Sequence, residues 1–333
     1  MKLKFPIKLL STFILLQLTV SLHALETTLL SLSPNLNLYS TIGIEIPNGE
    51  AFERVYDAPE DENRKISELI WKIKNVPMLA LDFQADYLQS WRFNMGGKFA
   101  ISGGNGKMTD SDWLLDSNPS LRTDFSESRV DATNSYSFDL NANYTPYHFH
   151  NQRCSLRAGF GYKQIIWTWK EQLISSLYSS DPDNGQINDI VDRLPVGIQG
   201  IDYKQTYKIP YLSFEVEIPQ KTWSLETKIK YSPFVYAQDR DFHILREILF
   251  EEKAKNGKYL NIGTRINYAI SPSWAVGFSY TYEQIFEMRA NTTLTETGTS
   301  YDQLTDNYTT TIKNGASLGF KTHSIGFTIS KKL

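Results

Sequence analysis

The segment SYSFDLNANY, residues 135–144, alternates strictly between two kinds of side chain. Its even-numbered residues are aromatic, aliphatic or Ala, and its odd-numbered residues are Ser, Asn or Asp. Successive side chains of a β-strand point to opposite faces, so this pattern predicts a strand with one apolar and one polar face. The same alternation recurs in residues 260–270, 274–283 and 322–333. It predicts an all-β protein.

Composition alone supports a membrane barrel and a secreted all-β protein about equally. The lengths of the connections between these segments distinguish the two. Short turns, such as residues 217–220 and 270–273, alternate with long polar stretches. Short turns at one end and long loops at the other are typical of outer-membrane barrels. The predicted long loops are residues 58–63, 103–129, 176–199, 242–258 and 290–314.

We therefore predict a ten-stranded antiparallel transmembrane β-barrel with long extracellular loops and short periplasmic turns. An even number of strands closes the sheet and leaves no edge unpaired. The predicted strands are residues 29–56, 64–85, 88–102, 130–145, 154–172, 200–218, 222–240, 258–271, 273–289 and 314–333.

The first 24 residues predict export. Three Lys residues precede an apolar run over residues 9–22, and Ala24 offers a small residue for cleavage. The run has about 14 residues, which is too short for a comfortable membrane-spanning helix. Residues 1–24 are thus predicted to be a signal peptide, and residues 25–333 a single barrel domain.

Cysteine usage and charge exclude several other classes of protein. Cys154 is the only Cys, so neither an internal disulfide nor a Cys-based metal site can form. The formal net charge is −3, and no stretch has the basic footprint of a nucleic-acid-binding protein.

Two short motifs offer hydrolytic chemistry: Asp110-Ser111-Asp112 and Asp241-Phe242-His243. In extended backbone, residues i and i+2 point to the same side, so each motif presents a pair of side chains. An imidazole beside a carboxylate can take a proton from water. Two adjacent carboxylates do not ionise together easily, so they share a proton.

Each motif taken singly is more often an ordinary surface sequence. An Asp-x-Asp pair in a loop is usually a solvated or cation-binding turn. Calcium is the specific competitor, but Leu121 stands at the twelfth position of the loop that begins at Asp110, where a bidentate Glu is needed.

The order of these and other motifs resembles the omptin family of outer-membrane aspartyl-type endopeptidases. The resemblance runs over nearly all of the predicted mature chain. The motifs, in order, are Glu53-Arg54-Val55-Tyr56, Arg64-Lys65-x-Ser67-x-Leu69-x-Trp71-Lys72, Asp110-x-Asp112-Trp113 with Asp116-Ser117-Asn118-Pro119, Tyr203-Lys204-Gln205-x-x-Lys208-x-Pro210-Tyr211, Lys230-Tyr231-Ser232 and Asp239-x-Asp241-x-His243.

The resemblance implies a role for six residues. The catalytic residues would be Asp110, Asp112, Asp241 and His243, and the substrate-binding residues would be Glu53 and Asp239. It implies an endopeptidase that uses an activated water and cleaves next to basic residues, preferably at dibasic Arg/Lys sites. The expected partners are basic peptides or proteins and outer-membrane lipid, with no nucleic acid. We expect a monomer in the cell outer membrane, with its active site on the extracellular side and no metal.

One site of the family is altered in this sequence. The resemblance implies a lipopolysaccharide site on the outer wall, where Tyr162 matches the family. Gln164, Ile166 and Thr206 instead stand where acidic and basic residues are expected. Lipopolysaccharide is therefore kept as a candidate activating lipid, bound by a weakened or rebuilt site.

The parity of the seventh predicted strand conflicts with a cleft that faces inward. Trp223, Ile229 and Tyr231 have the parity of the lipid-facing side, and Asp241 and His243 share it if the strand is regular. A β-bulge adds one residue and re-aims the side chains beyond it, and Pro favours such a site. We therefore predict a bulge near residues 232–233.

A second hypothesis is a barrel that binds without cutting, such as an adhesin or a pore. An adhesin would not need the four predicted catalytic residues to converge. A pore would need an open lumen, whereas about ten strands enclose a narrow one.

Overall fold

The computed structural model describes residues 35–149, 154–192, 194–296 and 309–333, and nearly all of them lie in antiparallel strands. The predicted signal peptide lies outside the described residues. Within them, no helix has the length and apolar character that a membrane span requires. The strands are β1 (Leu36–Asp57), β2 (Asp61–Ile73), β3 (Met78–Tyr87), β4 (Trp91–Ala100), β5 (Lys107–Asp112), β6 (Asp124–Asp131), β7 (Tyr136–Phe149), β8 (Cys154–Tyr178), β9 (Ile190–Val191), β10 (Ile201–Pro219), β11 (Trp223–His243), β12 (Ile248–Ala269), β13 (Trp274–Glu296) and β14 (Thr309–Lys332).

The strands close into a ring of ten. Three positions of the ring are each divided into an upper and a lower strand, namely β2 with β3, β5 with β4, and β6 with β7. β1 pairs with β14 on one side and with β2 and β3 on the other, and β8 pairs with β10. β9 is a two-residue addition to β8. The predicted ten-stranded barrel is therefore confirmed.

Several predicted loops are in fact barrel wall. The connection between β11 and β12 is residues 244–247 only, although residues 242–258 were predicted as a loop. β5 and most of β6 lie within the predicted loop 103–129, and β13 continues to Glu296. Above the lipid, the outer face of a strand no longer has to be apolar. The alternation of apolar and polar residues therefore ends before the strand itself ends. The predictions for these boundaries were wrong for that reason.

An apolar band surrounds the end of the barrel that carries the short turns. Trp91 and Tyr144 pack with ring centroids 5.0 Å apart beside one such turn, and Trp223 and Trp274 lie beside two others. Such residues mark the boundary between lipid and water. The exposed aliphatic and aromatic side chains above them include Ile42, Ile44, Phe93, Met95, Leu140, Phe160, Leu212, Phe214, Ile229, Ile262, Phe278 and Phe327.

The lumen inside this band is lined by paired charges. Glu215 is fully buried. Its carboxylate oxygens form ion pairs with nitrogen atoms of Arg92 at 2.7 Å, Arg157 at 2.6 Å and Lys228 at 2.9 Å. We call these four residues the Glu215 cluster. Because each buried charge has an opposite partner, the cluster satisfies the condition under which ions are tolerated away from water.

Higher up, the lumen is closed by buried rings. Each ring lies within 6.2 Å of another, measured between centroids, and Trp71 stacks on Tyr203 at 4.7 Å. We call this group the aromatic layer; its members are Trp71, Trp167, Trp169, Tyr203, Tyr207 and Phe320. Among the described residues, these packed rings occupy the part of the lumen that the pore hypothesis would need to be open.

The predicted bulge in the seventh barrel strand, β11, is confirmed. The register of β11 against β12 shifts between Ser232 and Val235, where β11 has one residue more than its neighbour. Below the shift Tyr231 is exposed on the outside, and above it the odd-numbered residues from Val235 to Asp241 are buried inside. Ser232 Oγ accepts a hydrogen bond from the Phe234 amide at 3.1 Å within the bulge.

Candidate active site

The Asp–His pair lies at the upper end of β11. His243 is the last residue of the strand, and its Nε2 is 2.9 Å from Oδ2 of the buried Asp241. Phe250, the residue of β12 that pairs with Asp241, places its ring edge against the imidazole, with centroids 5.2 Å apart. The carboxylate and the ring together hold the imidazole in one orientation.

The Asp110–Asp112 pair lies on β5, between β2 and β6, and not in a loop as predicted. Ser67 Oγ donates to Asp110 Oδ1 at 3.4 Å. Burial and the adjacent charge of Asp112 raise the pKa of Asp110 well above its usual value. Burial also raises the pKa of Asp112. The pair therefore retains a proton under conditions in which exposed carboxylates have lost theirs.

The two pairs lie close enough for their charges to influence each other, although they come from different walls of the barrel. Gln205 Nε2 on β10 donates to the Phe52 carbonyl of β1 at 3.2 Å, which joins the walls below the pairs. After burial and Asp112, the charge of Asp241 contributes to the raised pKa of Asp110. The structure thus brings together all four residues that the sequence singled out as catalytic.

Arg246 is a cleft residue that the sequence analysis missed. It lies in the four-residue turn after β11, and its Nη2 donates to His243 Nδ1. Its charge lowers the pKa of Asp110, against the larger effect of burial. A lone Arg in a predicted loop carries no sequence signal for this contact.

Next to these residues lies a pocket of three buried carboxylates: Glu53 on β1, Asp239 on β11 and Glu252 on β12. Tyr203 Oη donates to Asp239 Oδ2 at 2.8 Å, and the Glu252 amide donates to Asp239 Oδ1 at 3.0 Å. Burial raises the pKa of Asp239 to about 6. Burial and neighbouring carboxylates raise the pKa of Glu53 and of Glu252 well above their usual values.

The pocket contains both residues that the sequence assigned to substrate binding, and one that it did not. Glu252 was missed because it lies inside the predicted loop 242–258, where inward and outward positions could not be assigned. With the observed register its side chain points inward beside Asp239.

The class that this barrel and its cleft define is the outer-membrane proteases. The model of the omptin family matches residues 34–330, which is most of the chain. The chain therefore belongs to the omptin family, and the predicted resemblance is confirmed.

Similar proteins agree in fold and class. The chain is 30% identical to Protease 7 of Escherichia coli O157:H7, covering 93% of this chain and 94% of that one. It is 28% identical to the outer membrane protease IcsP of Shigella flexneri, with 88% of each covered. The crystal structure of the outer membrane protease OmpT from Escherichia coli superimposes with a TM-score of 0.80, at 24% identity, over 89% of this chain and 97% of that one.

Proposed function

We propose that this peptidase is an endopeptidase that cleaves next to basic residues, preferably between two of them, by activating a water molecule. The observation that carries the proposal is the Asp241–His243 hydrogen bond, which faces Asp110 and Asp112 beside a buried acidic pocket. A water between the two pairs would have a base on one side and a partly protonated carboxylate pair on the other.

The proposed chemistry assigns one role to each group. With the Nε2 proton donated to Asp241, Nδ1 of His243 carries the lone pair that accepts a proton from water. The water oxygen then attacks the peptide carbonyl carbon, and the carboxyl shared by Asp110 and Asp112 stabilises the developing oxyanion. When the C–N bond breaks, the imidazolium returns the proton to the leaving amine. Arg246 has to leave Nδ1 before this sequence begins.

The acidic pocket would receive the basic side chain that precedes the scissile bond. A guanidinium or ammonium is stable away from water only beside carboxylates, and Glu53 and Asp239 provide them. Because the pocket adjoins the cleft at the end of the barrel opposite the short turns, the active site would face the extracellular side.

The test is cleavage of a short Arg-Arg peptide by the refolded full chain. We expect Asp241→Asn and His243→Ala each to reduce kcat by about 10²–10⁴-fold, the usual contribution of a general base and its partner. The matched control is Asp183→Asn, in the exposed turn Pro182–Asn184, which should leave kcat unchanged. Full activity of the His243→Ala variant would refute the assignment.

Lipopolysaccharide remains a proposed activating lipid. Ile166, which stands where the resemblance leads us to expect a charged residue, is buried, so the proposed lipid site would have to be built from other residues. Five exposed cations nevertheless lie above the apolar band on β10, β11 and β12, namely Lys204, Lys208, Arg240, Lys253 and Lys255. None of them has an ion-pair partner among the described residues. They suit lipid A phosphates.

A lipid-free preparation tests this part of the proposal separately. Adding lipopolysaccharide should raise the peptidase activity of the wild type. A Lys204→Ala, Arg240→Ala double variant should need more lipopolysaccharide for half activation, whereas Lys74→Ala, between β2 and β3, should not. Equal activity with and without the lipid would refute lipid activation and leave the peptidase assignment intact.

A further inference from the structure

Glu252 adds a third carboxylate to the pocket that the proposed function assigns to the substrate's basic side chain. It is 0% exposed, and Glu53 and Asp239 are 2% and 1% exposed. One carboxylate oxygen from each of the three residues lies within 4.8 Å of the other two. Three acids at this spacing concentrate negative charge at one point of the barrel interior, where a single cationic group would contact all three.

These carboxylates differ from Glu215 because no cation in the described part of the chain neutralises them. Glu215 has three cationic partners, whereas no ion pair within the described residues includes Glu53, Asp239 or Glu252. Both carboxylate oxygens of Glu252, and Oε2 of Glu53, are buried without a hydrogen-bond partner. Buried acceptors without a donor cost free energy, and a donor from outside would satisfy them.

Among the described residues, the groups that face Glu252 include no cation. Glu53 faces Glu252 from β1, and Asp239 and Asp241 face it from β11. Tyr203, on β10, contacts Asp239. On β13, the neighbouring position is Thr292, which is neutral. Buried carboxylates this close to one another favour shared protons over full ionisation, and a bound cation would replace those protons.

We propose that Glu252 is a specificity-determining residue, which together with Glu53 and Asp239 makes the pocket select a cationic side chain and bind it in exchange for protons. The inference rests on the proposed function, because it concerns the same pocket. Arg is the side chain that uses the pocket fully, since its planar fork offers five N–H donors to the three carboxylates. Asp239 and Glu53 would attract the cationic side chain. Glu252 would increase the preference for a charged side chain over a neutral one of the same shape.

The first experiment compares peptides with Arg or citrulline before the scissile bond, because citrulline has nearly the same shape and no charge. We expect Glu252→Gln to reduce the Arg/citrulline ratio of kcat/KM at least tenfold, as is usual when one partner of a buried charge pair is removed. The matched control is Glu251→Gln, the adjacent residue on the outer side of β12, which should leave the ratio unchanged.

The second experiment counts protons and needs no turnover. Butylguanidinium is titrated calorimetrically into the wild type and Glu252→Gln in buffers of different ionisation enthalpy. The wild type should release more protons on binding than the variant, and Glu251→Gln should match the wild type. Equal proton release together with an unchanged Arg/citrulline ratio would overturn the inference.

The two proposals fail in distinguishable ways. If the wild type cleaves no basic peptide, the peptidase specificity fails, and the calorimetric result still decides the role of Glu252. If EDTA changes the Arg/citrulline ratio of the wild type, the carboxylates hold a metal ion and the inference is overturned.

Discussion

Asp239→Asn should make the folded protein more stable and the peptidase less active. Asp239 has a pKa of about 6 in the folded protein, against 3.8 for an ordinary Asp, because it is buried. At 1.36 kcal/mol per pH unit, this difference corresponds to about 3 kcal/mol. The folded state binds the proton more tightly, so stability falls as pH rises from 3.8 to 6, and the loss is complete above that window.

Asn carries no charge, so the variant avoids this loss. It also loses the hydrogen bond from Tyr203, which contributes about 1 kcal/mol. We therefore expect the free energy of unfolding at pH 8 to increase by about 2 kcal/mol. The advantage should disappear toward pH 4, where the wild-type carboxyl is protonated. Cleavage after Arg should decrease, because the pocket loses a carboxylate.

The assay is urea unfolding of the refolded protein in detergent micelles, followed by tryptophan fluorescence at pH 8 and pH 4. Trp71 stacks on Tyr203, so the signal reports on this region. The control Asp183→Asn should unfold like the wild type at both values. A variant that is less stable than the wild type at pH 8, or a difference that does not depend on pH, would refute the reasoning.

Three further predictions concern other residues of the barrel. Glu215→Gln removes the carboxylate that Arg92, Arg157 and Lys228 share, although each keeps another acidic partner, so it should destabilise the barrel by about 3 kcal/mol; an unchanged urea midpoint would contradict this. Arg246→Ala removes a cation that occupies His243 Nδ1 and opposes a basic substrate, so kcat/KM for an Arg-Arg peptide should rise about tenfold at low salt. A decrease would show that Arg246 assists the reaction. Phe250→Ala releases the imidazole, so kcat should fall about tenfold while KM stays within twofold; a change confined to KM would assign Phe250 to substrate binding.

The part of the fold that touches lipid could be predicted from the sequence, and the part above it could not. Residues 135–144 alternate because one face meets lipid and the other meets the polar lumen. Residues 248–257 of β12 have water outside and a mixed interior, so no alternation remains and the strand reads as a loop. The site follows the same division. Asp241 and His243 could be paired from their spacing, whereas Glu252 needed the register of β12.

The bulge in β11 shows that a conflict in the pattern can itself predict structure. Tyr231 and Asp241 have the same parity, yet one faces lipid and the other faces the cleft. A regular strand could not place one of these residues outside and the other inside. Pro233, which has no N–H to donate, indicated where the hydrogen-bond ladder between the strands could be interrupted. Arg246 had no comparable conflict, so nothing in the sequence indicated its contact with His243.

The aromatic layer lies between the cleft and the Glu215 cluster. A peptide bound in the cleft would therefore meet a barrier of packed rings if it moved further into the barrel. The products of cleavage would then leave from the same end of the barrel at which the substrate entered, so release of product and entry of the next substrate would compete for one opening.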